Sequence, residues 1–210
     1  MLATLAMRIG LLGGSFNPAH RGHRRMSLAA MKALGLDEVW WLVSPGNPLK
    51  PKKGMAPYDA RLAHARFVAR RSRIKVSDFE LGAGTVYTVD TIHALRQRHP
   101  EHEFIWLMGE DTVAQFHQWK EWRALAAMVP IAVLSRPGYN GTARAARAMG
   151  WLRWFVRPSA TARNWTEWSA PAITFLRLPP DPTSASRLRL EDPFWYRRPP
   201  GLIARRPALS

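Results

Sequence analysis

The chain has 210 residues, a length that fits one α/β domain with a sizeable buried core and argues against a second independent domain. It contains no cysteine, which excludes disulfide bonds and thiolate metal sites and gives no reason to expect secretion. Its 31 lysines and arginines against 15 acidic residues give a formal charge of +16, so the surface attracts polyanions, either nucleic acids or small phosphates.

Two further classes of protein are disfavoured by the order of the residues. The apolar stretch Met1 to Met7 is short and is followed by Arg8, so it predicts neither a signal peptide nor a membrane span. The arginines are scattered and are not interleaved with aromatic residues, so nucleic-acid binding is not the favoured main function. We therefore expect a cytoplasmic protein whose positive charge steers small phosphates, with no membrane partner.

Apolar runs alternate with amphipathic stretches along most of the chain. The apolar runs predict buried parallel strands, and the amphipathic stretches predict helices between them, which is the pattern of an α/β domain. The predicted strands are Arg8 to Leu12, Glu38 to Val43, Ile74 to Phe79, Phe104 to Met108, Pro130 to Leu134 and Ala172 to Leu178. The predicted helices are Arg24 to Leu34, Tyr58 to Arg71, Ile92 to Arg98, Thr112 to Phe116, Glu121 to Ala127 and Thr142 to Met149.

The most informative stretch joins the first strand to the first helix. Gly13 and Gly14 lack the β-carbons that would keep phosphates away from the backbone, and the first N–H groups of the following helix have no internal partner. If that helix begins near Arg21, His20 and His23 lie on one side of its first turn and can both bind one phosphate. A solvated histidine pair or half of a metal site would also fit, but no third metal ligand follows at helical spacing.

The run Gly-Ser-Phe-Asn-Pro-Ala-His-Arg-Gly-His resembles the signature of the HxGH nucleotidyltransferases, most closely that of the bacterial nicotinate-nucleotide adenylyltransferases. The resemblance implies a single domain with a Rossmann-like parallel sheet and helices on both faces. It also implies that ATP and nicotinate mononucleotide are the substrates, with Mg²⁺ bound through the ATP phosphates and no metal held by the protein itself. The residues implied as ATP ligands in this run are Gly13, Gly14, Ser15 and Phe16.

Three later segments correspond, one of them only loosely, to parts of that family that lie near the mononucleotide. The proline-rich loop Ser44 to Pro57 matches the family only loosely, and Lys50 is its candidate phosphate ligand; a plain solvated loop fits equally well. Thr88 lies where the family approaches the nicotinate ring, although by itself it reads as a helix N-cap. Trp119 falls where the family places a tryptophan that stacks on the pyridine ring, whereas Trp122 is predicted to pack in the core.

Three further positions match the adenosine side of the family. Gly109 and Asp111 follow a predicted strand, where a carboxylate can accept hydrogen bonds from ribose hydroxyls; alternatively Asp111 caps the next helix. The run Arg-Pro-Gly that begins at Arg136 resembles a family segment near adenine.

A serine-rich turn near the end of the chain completes the resemblance. Ser184, Ser186 and Arg189 match the family's Ser-x-Thr-x-x-Arg, with serine in place of the usual threonine. Hydroxyls and free N–H groups at a helix start can bind phosphate oxygens, and an arginine adds a forked cation, although a serine N-cap explains the pattern equally well. The resemblance therefore implies His20, His23 and Arg189 as the catalytic residues.

The resemblance leaves parts of the chain without an interpretation. We expect a nucleotidyltransferase domain over residues 1–190 and an extended or disordered tail over 191–210, because prolines from Pro193 onward interrupt any helix. Trp151 to Ser169 has no assigned role, and the oligomeric state stays open. The alternative functions are transfer to nicotinamide mononucleotide or pantetheine phosphate by another HxGH enzyme, or a basic nucleic-acid-binding module.

Overall fold

A computed structural model describes residues 5–46, 54–135, 143–178, 181 and 183–200. Their centre is one sheet of six strands in the order β3-β2-β1-β4-β5-β6, with all adjacent pairs parallel. The α/β class and the Rossmann-like sheet predicted from the sequence are thereby confirmed. The strands are β1 Arg8–Gly14, β2 Glu38–Val43, β3 Ile74–Ser77, β4 Glu103–Gly109, β5 Ile131–Ser135 and β6 Ile173–Arg177.

Helices cover both faces of the sheet. Alternate side chains of β1 separate into two cores, with Leu12 packed on the side of α1 and α2 and with Ile9 and Leu11 on the side of α4 to α6. The α-helices of the described residues are α1 Arg21–Leu34, α2 Tyr58–Ala69, α3 Phe79–Ala83, α4 Thr88–Arg98, α5 Glu110–Phe116, α6 Trp122–Met128, α7 Met149–Leu152 and α8 Ala185–Glu191. None of the helices in this part of the chain is long and apolar enough to cross a membrane.

The strand order reverses between β1 and β4, the two central strands. Arg8 pairs with Glu103 and Leu12 with Leu107, so both strands end at the same edge of the sheet. The chain leaves β1 toward α1 on one face and leaves β4 toward α5 on the other, which opens a crevice between the two loops. Ligands of doubly wound sheets bind in such crevices.

The predicted boundaries need four corrections. Residues 80–84, expected as a loop, belong mainly to the short helix α3. Thr88 is the first residue of α4 and not its N-cap, which is Tyr87. Within the predicted helix Thr142 to Met149, the described residues 143–148 form turns closed by short-range bonds such as Ala146 N–H to Ala143 O at 3.1 Å. There, burial of Ala143 and Ala148 in the core takes precedence over helix propensity.

The fourth correction concerns the start of the expected tail. Residues 192–200 are not extended: they include a 3-10 helix, Trp195–Arg197. The Trp195 indole is 3 % exposed and packs edge-on against His64 of α2, with ring centroids 5.0 Å apart. Burial lowers the pKa of His64 to about 4, so this histidine is a neutral packing partner at neutral pH. An aromatic side chain buried on a neighbouring helix therefore outweighs the prolines on either side.

The segment Trp151 to Ser169 also belongs to the body of the fold. It contains part of α7 and two 3-10 helices, Arg153–Phe155 and Ser159–Glu167. Trp165 is 1 % exposed, and its indole N–H donates to the Leu34 carbonyl at 3.0 Å. This segment thus covers the C-terminal end of α1 and steadies the helix whose other end faces the crevice.

Candidate active site

The two histidines of the motif between β1 and α1 lie at the N-terminus of α1. His20 is the N-cap residue, and its backbone N–H donates to Nδ1 of His23 at 3.2 Å. The two rings are adjacent, with centroids 3.8 Å apart. Because Nδ1 of His23 accepts a hydrogen bond, the proton of its neutral ring is on Nε2. The helix start thus combines two imidazoles with backbone N–H groups at the positive end of the helix dipole.

Two aromatic rings and a serine hydroxyl form a support that holds His23 in place. Phe16 is 2 % exposed; its ring stacks on Trp41 with centroids 4.9 Å apart and lies 5.0 Å from the His23 ring. Trp41 donates through Nε1 to Ser27 Oγ at 2.8 Å, and that hydroxyl donates to the His23 carbonyl at 2.9 Å. Phe16 keeps φ at 45° to reach this position, a left-handed conformation that costs on the order of 1 kcal/mol or more. The Phe16 side chain is therefore part of the support for His23.

The glycines of this stretch are required by protein neighbours. A β-carbon at Gly13 would lie 2.6 Å from Cη2 of Trp106, so the missing side chain makes room for an indole of β4. A β-carbon at Gly22 would lie 2.9 Å from the His20 ring and 3.2 Å from the Thr183 carbonyl. Gly22 therefore permits close approach of the segment before α8. The expectation that Gly13 and Gly14 leave space for phosphates stays a prediction.

Helix α8 brings the end of the chain to the loop after β1. Arg189 donates through Nη1 to the Asn17 carbonyl at 2.5 Å and through Nη2 to Ser186 Oγ at 3.2 Å. Ser184 is the N-cap of α8, with its Oγ accepting from Arg187 N–H at 3.2 Å. Residues far apart in the sequence, Asn17 and Arg189, are thus in direct contact beside the N-terminus of α1.

A buried carboxylate fastens the same two regions. Asp181 forms ion pairs with Arg21 at 3.4 Å and Arg25 at 3.1 Å, both on α1, and accepts from Thr183 N–H at 2.9 Å. Burial raises the pKa of Asp181, but the hydrogen bonds from Thr183 and the nearby Arg21 and Arg25 outweigh it and lower the pKa to about 2. Asp181 is therefore ionised at neutral pH and links the turn before α8 to the first turns of α1.

Arg61 of α2 is a second link, and the sequence pattern did not single it out. Its side chain is 1 % exposed and donates to four backbone carbonyls: Ser15 and Ser44 at 2.7 Å, Ala56 at 3.1 Å and Pro45 at 3.3 Å. Burial lowers the pKa of the guanidinium, but an arginine stays charged in proteins. Arg61 therefore joins the loop after β1 to the loop after β2.

Asn17 also connects the loop after β1 to the loop after β2. Its side-chain amide donates to the Gly54 carbonyl at 2.9 Å and accepts from Ala56 N–H at 3.3 Å, while its own carbonyl receives Arg189. Asn17 stands in the recognised motif, but its role depends on contacts with two distant segments. Only the folded chain brings these partners together.

The loop after β4 forms the other wall of the crevice. Asp111 lies exposed in the first turn of α5, and its Oδ1 is 2.5 Å from where a β-carbon of Gly109 would be. The carboxylate thus folds back over Gly109 at the end of β4. Trp119 is half-buried and meets Trp106 edge-on, with centroids 6.1 Å apart. Since Trp106 also touches Gly13, a single indole separates Trp119 from the end of β1.

The first turn of α4 borders the Trp119 segment. Lys120 forms an ion pair with Asp90 of α4 at 3.2 Å and lies over the ring of Tyr87, 4.8 Å from its centroid. Thr88 is half-buried in the same turn. The two residues predicted to contact the nicotinate ring, Thr88 and Trp119, are therefore on neighbouring segments. Two further predicted ligands, Lys50 and Arg136, lie outside the described residues.

Glu80 is a buried acid between the loop after β2 and α4. It is 6 % exposed, and burial raises its pKa to about 7, although hydrogen bonds from Ser44 and Thr91 act in the opposite direction. The composition and spacing of the sequence gave no signal for it, because an acid after a strand reads as a surface residue. Glu80 supports the segments that carry Thr88 and Ser44.

We predict that Glu80→Gln changes how stability depends on pH. The pKa of Glu80 is raised in the folded state, so its contribution is fully present below the unfolded value of 4.5 and is lost as the pH rises through about 7. Glutamine cannot ionise, so between pH 5 and pH 8 the variant should gain about 2 to 3 kcal/mol of unfolding free energy relative to the parent. Urea denaturation of both proteins at the two pH values measures this; an unchanged difference would contradict it.

Comparisons with known proteins agree with the geometry. The family model described as cytidylyltransferase-like matches residues 11–190. A probable nicotinate-nucleotide adenylyltransferase of Erythrobacter litoralis is 55% identical over 198 residues, which cover 94% of this chain and 90% of that protein. One of Gluconobacter oxydans is 52% identical over 183 residues, covering 87% of this chain and 94% of its own length.

A solved structure agrees at the level of the fold. Plasmodium falciparum nicotinic acid mononucleotide adenylyltransferase, complexed with NaAD, has a TM-score of 0.61 and 16% identity, with 88% of this chain and 83% of that chain covered. The resemblance inferred from the motifs is thereby confirmed over most of the chain. The chain belongs to the cytidylyltransferase-like family and, within it, to the group of the bacterial nicotinate-nucleotide adenylyltransferases.

Proposed function

We propose that this protein transfers the adenylyl group of ATP to nicotinate mononucleotide, giving nicotinate adenine dinucleotide and pyrophosphate in NAD biosynthesis. The observation that carries the proposal is the contact of Arg189 Nη1 with Asn17 O at 2.5 Å. It brings a cation from the end of the chain beside the two imidazoles at the start of α1. Relatives 45–55% identical to the chain bear the name of this enzyme, which supports the same conclusion.

The chemistry requires no nucleophile from the protein. A phosphate oxygen of the mononucleotide attacks the α-phosphorus of ATP, a new P–O bond forms, and the bond from the α-phosphorus to the bridging oxygen breaks. Pyrophosphate leaves with the electron pair of that bond. The protein's contribution is to align the two substrates and to neutralise charge that spreads over the phosphate oxygens.

The donors of the crevice match this task. His20 and His23 hold oxygens of the α- and β-phosphates, together with backbone N–H groups of the loop from Gly13 to Phe16. Arg189 and the turn of Ser184 and Ser186 hold the β- and γ-phosphates. These groups are all hydrogen-bond donors or cations, and a triphosphate is the ligand that such a set fits.

The other wall of the crevice binds the rest of the two substrates. Asp111 accepts hydrogen bonds from the ribose of ATP, and the family resemblance assigns Arg136, outside the described residues, to the adenine. Trp119 stacks on the pyridine ring, and Thr88 contacts the same ring with its hydroxyl and backbone. Lys50 binds the phosphate of the mononucleotide.

A nucleotidyltransferase of this family normally uses a metal with ATP, and Mg²⁺ is the proposed ion. Among the described residues of the crevice, no three histidine or carboxylate side chains come together at metal-ligand spacing. The donors described above suit phosphate oxygens, so the ATP phosphates themselves would hold the ion. When bound, Mg²⁺ would neutralise part of the phosphate charge.

The cytoplasmic location stays a prediction from the composition.

The test is pyrophosphate release from ATP with nicotinate mononucleotide, nicotinamide mononucleotide and pantetheine phosphate, each offered separately. We expect kcat/KM to be highest with nicotinate mononucleotide and the product to be nicotinate adenine dinucleotide. A higher value with either other acceptor would assign the chain to that transferase instead. Salt-sensitive nucleic-acid binding without pyrophosphate release from any acceptor would favour the nucleic-acid-binding alternative.

A further inference from the structure

Two histidines and a glutamate form a compact group at the edge of the sheet opposite the crevice. They lie in the connection between α4 and β4, the segment His99-Pro100-Glu101-His102. Oε1 of Glu101 is 3.8 Å from Nδ1 of His99 and 3.5 Å from Nε2 of His102. One ligand atom from each of the three residues lies within 4.8 Å of the other two. The proposed adenylyl transfer uses none of these side chains.

From this arrangement we propose that His99, Glu101 and His102 bind a divalent transition-metal ion, with Zn²⁺ as the preferred ion. Neighbouring ligand atoms of a tetrahedral zinc site are roughly 3.3 to 3.5 Å apart, because Zn–N and Zn–O bonds are about 2.0 to 2.2 Å long. The separations of 3.5 Å and 3.8 Å from Glu101 Oε1 are close to this spacing. The three ligand atoms together lie within 4.8 Å, so the two imidazole nitrogens must draw closer when the ion binds. Two imidazole nitrogens with one carboxylate suit Zn²⁺, whereas Mg²⁺ and Ca²⁺ prefer oxygen ligands alone.

The backbone already holds the three ligands in place. His102 N–H donates to the His99 carbonyl at 3.1 Å, and His99 N–H donates to the Leu95 carbonyl of α4 at 2.9 Å. Pro100 fixes one φ angle within the turn between the two histidines. The two imidazole planes are nearly parallel, at 4° with centroids 5.5 Å apart. The backbone of this turn is therefore ordered before a metal binds, whereas the two rings must tilt from their parallel arrangement so that a lone pair of each points at one ion.

The surroundings resemble those of a metal site. Trp40 contacts both rings edge-on, with centroids 5.4 Å from His99 and 6.3 Å from His102, and Phe104 lies 6.3 Å from His102. The His102 side chain is 4 % exposed, whereas His99 and Glu101 are 28 % and 31 % exposed. The two histidines also line a surface cavity. One ligand is thus anchored in the core, and the cavity gives access for the ion and for a water molecule as fourth ligand.

A metal here would stabilise the fold without taking part in the reaction. His99 is the residue after α4, and His102 precedes the first residue of β4, so the ion would clamp a helix end to a strand start. The ligands precede β4, whereas the crevice lies where β4 ends. Zinc at about 100 times its Kd should favour the folded over the unfolded state by about 100-fold.

The experiment uses untagged, EDTA-treated full-length protein and calorimetric titration with Zn²⁺, with Mg²⁺ as the comparison ion. The double variant His99→Ala with Glu101→Gln spares the buried His102 and keeps the shape of Glu101. We expect the parent to bind one more equivalent of Zn²⁺ than this variant, or to bind it at least about 10-fold more tightly, the effect that even supporting residues of metal sites have. Zinc should also raise the melting temperature of the parent but not of the double variant.

The matched control is His93→Ala, which removes an exposed histidine that lines the same cavity but lies outside the group. This variant should bind Zn²⁺ and gain thermal stability as the parent does. Equal zinc stoichiometry, affinity and melting shift in the parent, the double variant and the control would overturn the proposal, because any zinc bound would then lie elsewhere. Activity without zinc should be the same in all three, so this outcome is independent of the proposed function.

Discussion

Replacing His23 by alanine is expected to reduce kcat by about 10²- to 10³-fold, the effect of removing one preorganised donor from a developing oxyanion. The reason is the position of the ring. Its Nδ1 is fixed by the His20 N–H at 3.2 Å, and Phe16 packs against it 5.0 Å away, so the imidazole is held before any nucleotide arrives. Pyrophosphate release at saturating ATP and nicotinate mononucleotide measures the loss.

A second substitution separates catalysis from folding. His23 occupies the third position of α1, where glutamine can also reach back to the N-cap N–H. His23→Gln should therefore retain most of the stability that His23→Ala loses, yet lose a comparable part of kcat. His93→Ala, on the exposed side of α4, should leave both properties unchanged. Near-normal turnover of either His23 variant would remove this imidazole from the mechanism.

Most of the fold could be predicted from patterns that extend over only a few residues of the sequence. Strand Glu38–Val43 was predicted with its observed ends, because a continuous apolar run bounded by polar residues reports directly on burial in a parallel sheet. The first helix was predicted to start at Arg24, three residues late: α1 begins at Arg21, the start that the histidine pair required. The first described residues after the predicted helix start at Thr142 were misread, since alanine and arginine favour a helix wherever packing does not decide otherwise.

The candidate site could be predicted only in part, because local patterns do not report contacts between distant segments. The motif located the two histidines, and the resemblance connected them with Arg189 at the other end of the chain. Asp181 and Arg61, which help to hold these segments together, carry no local signature. Asn17 lies in the recognised motif, but its partners, like theirs, are groups far away in sequence that the motif does not indicate. The glycines were identified as necessary, but Gly13 faces an indole of β4 that no local pattern could have indicated.

Arg61→Ala is expected to have the largest effect on stability. Arg61 donates to four carbonyls while 1 % exposed, and without the guanidinium these buried or half-buried acceptors would lose a donor beside a cavity. Each unsatisfied buried acceptor costs about 1 to 3 kcal/mol, and partial entry of water reduces the sum, so the loss should be on the order of 3 kcal/mol or more. Urea denaturation at pH 7 measures it. Because one of the carbonyls belongs to Ser15, KM for ATP should also rise.

Two further variants test whether the forked N–H donors of the Arg61 guanidinium account for the loss of stability and of ATP affinity. Lysine keeps the positive charge but not the planar guanidinium, so Arg61→Lys should recover only part of the stability and of the affinity for ATP. Arg66→Ala removes an exposed arginine from the same helix, paired with Asp78 at 3.6 Å, and should cost less than about 1 kcal/mol. If Arg61→Ala were as stable as Arg66→Ala and bound ATP normally, the loops after β1 and β2 would not depend on this side chain for their arrangement.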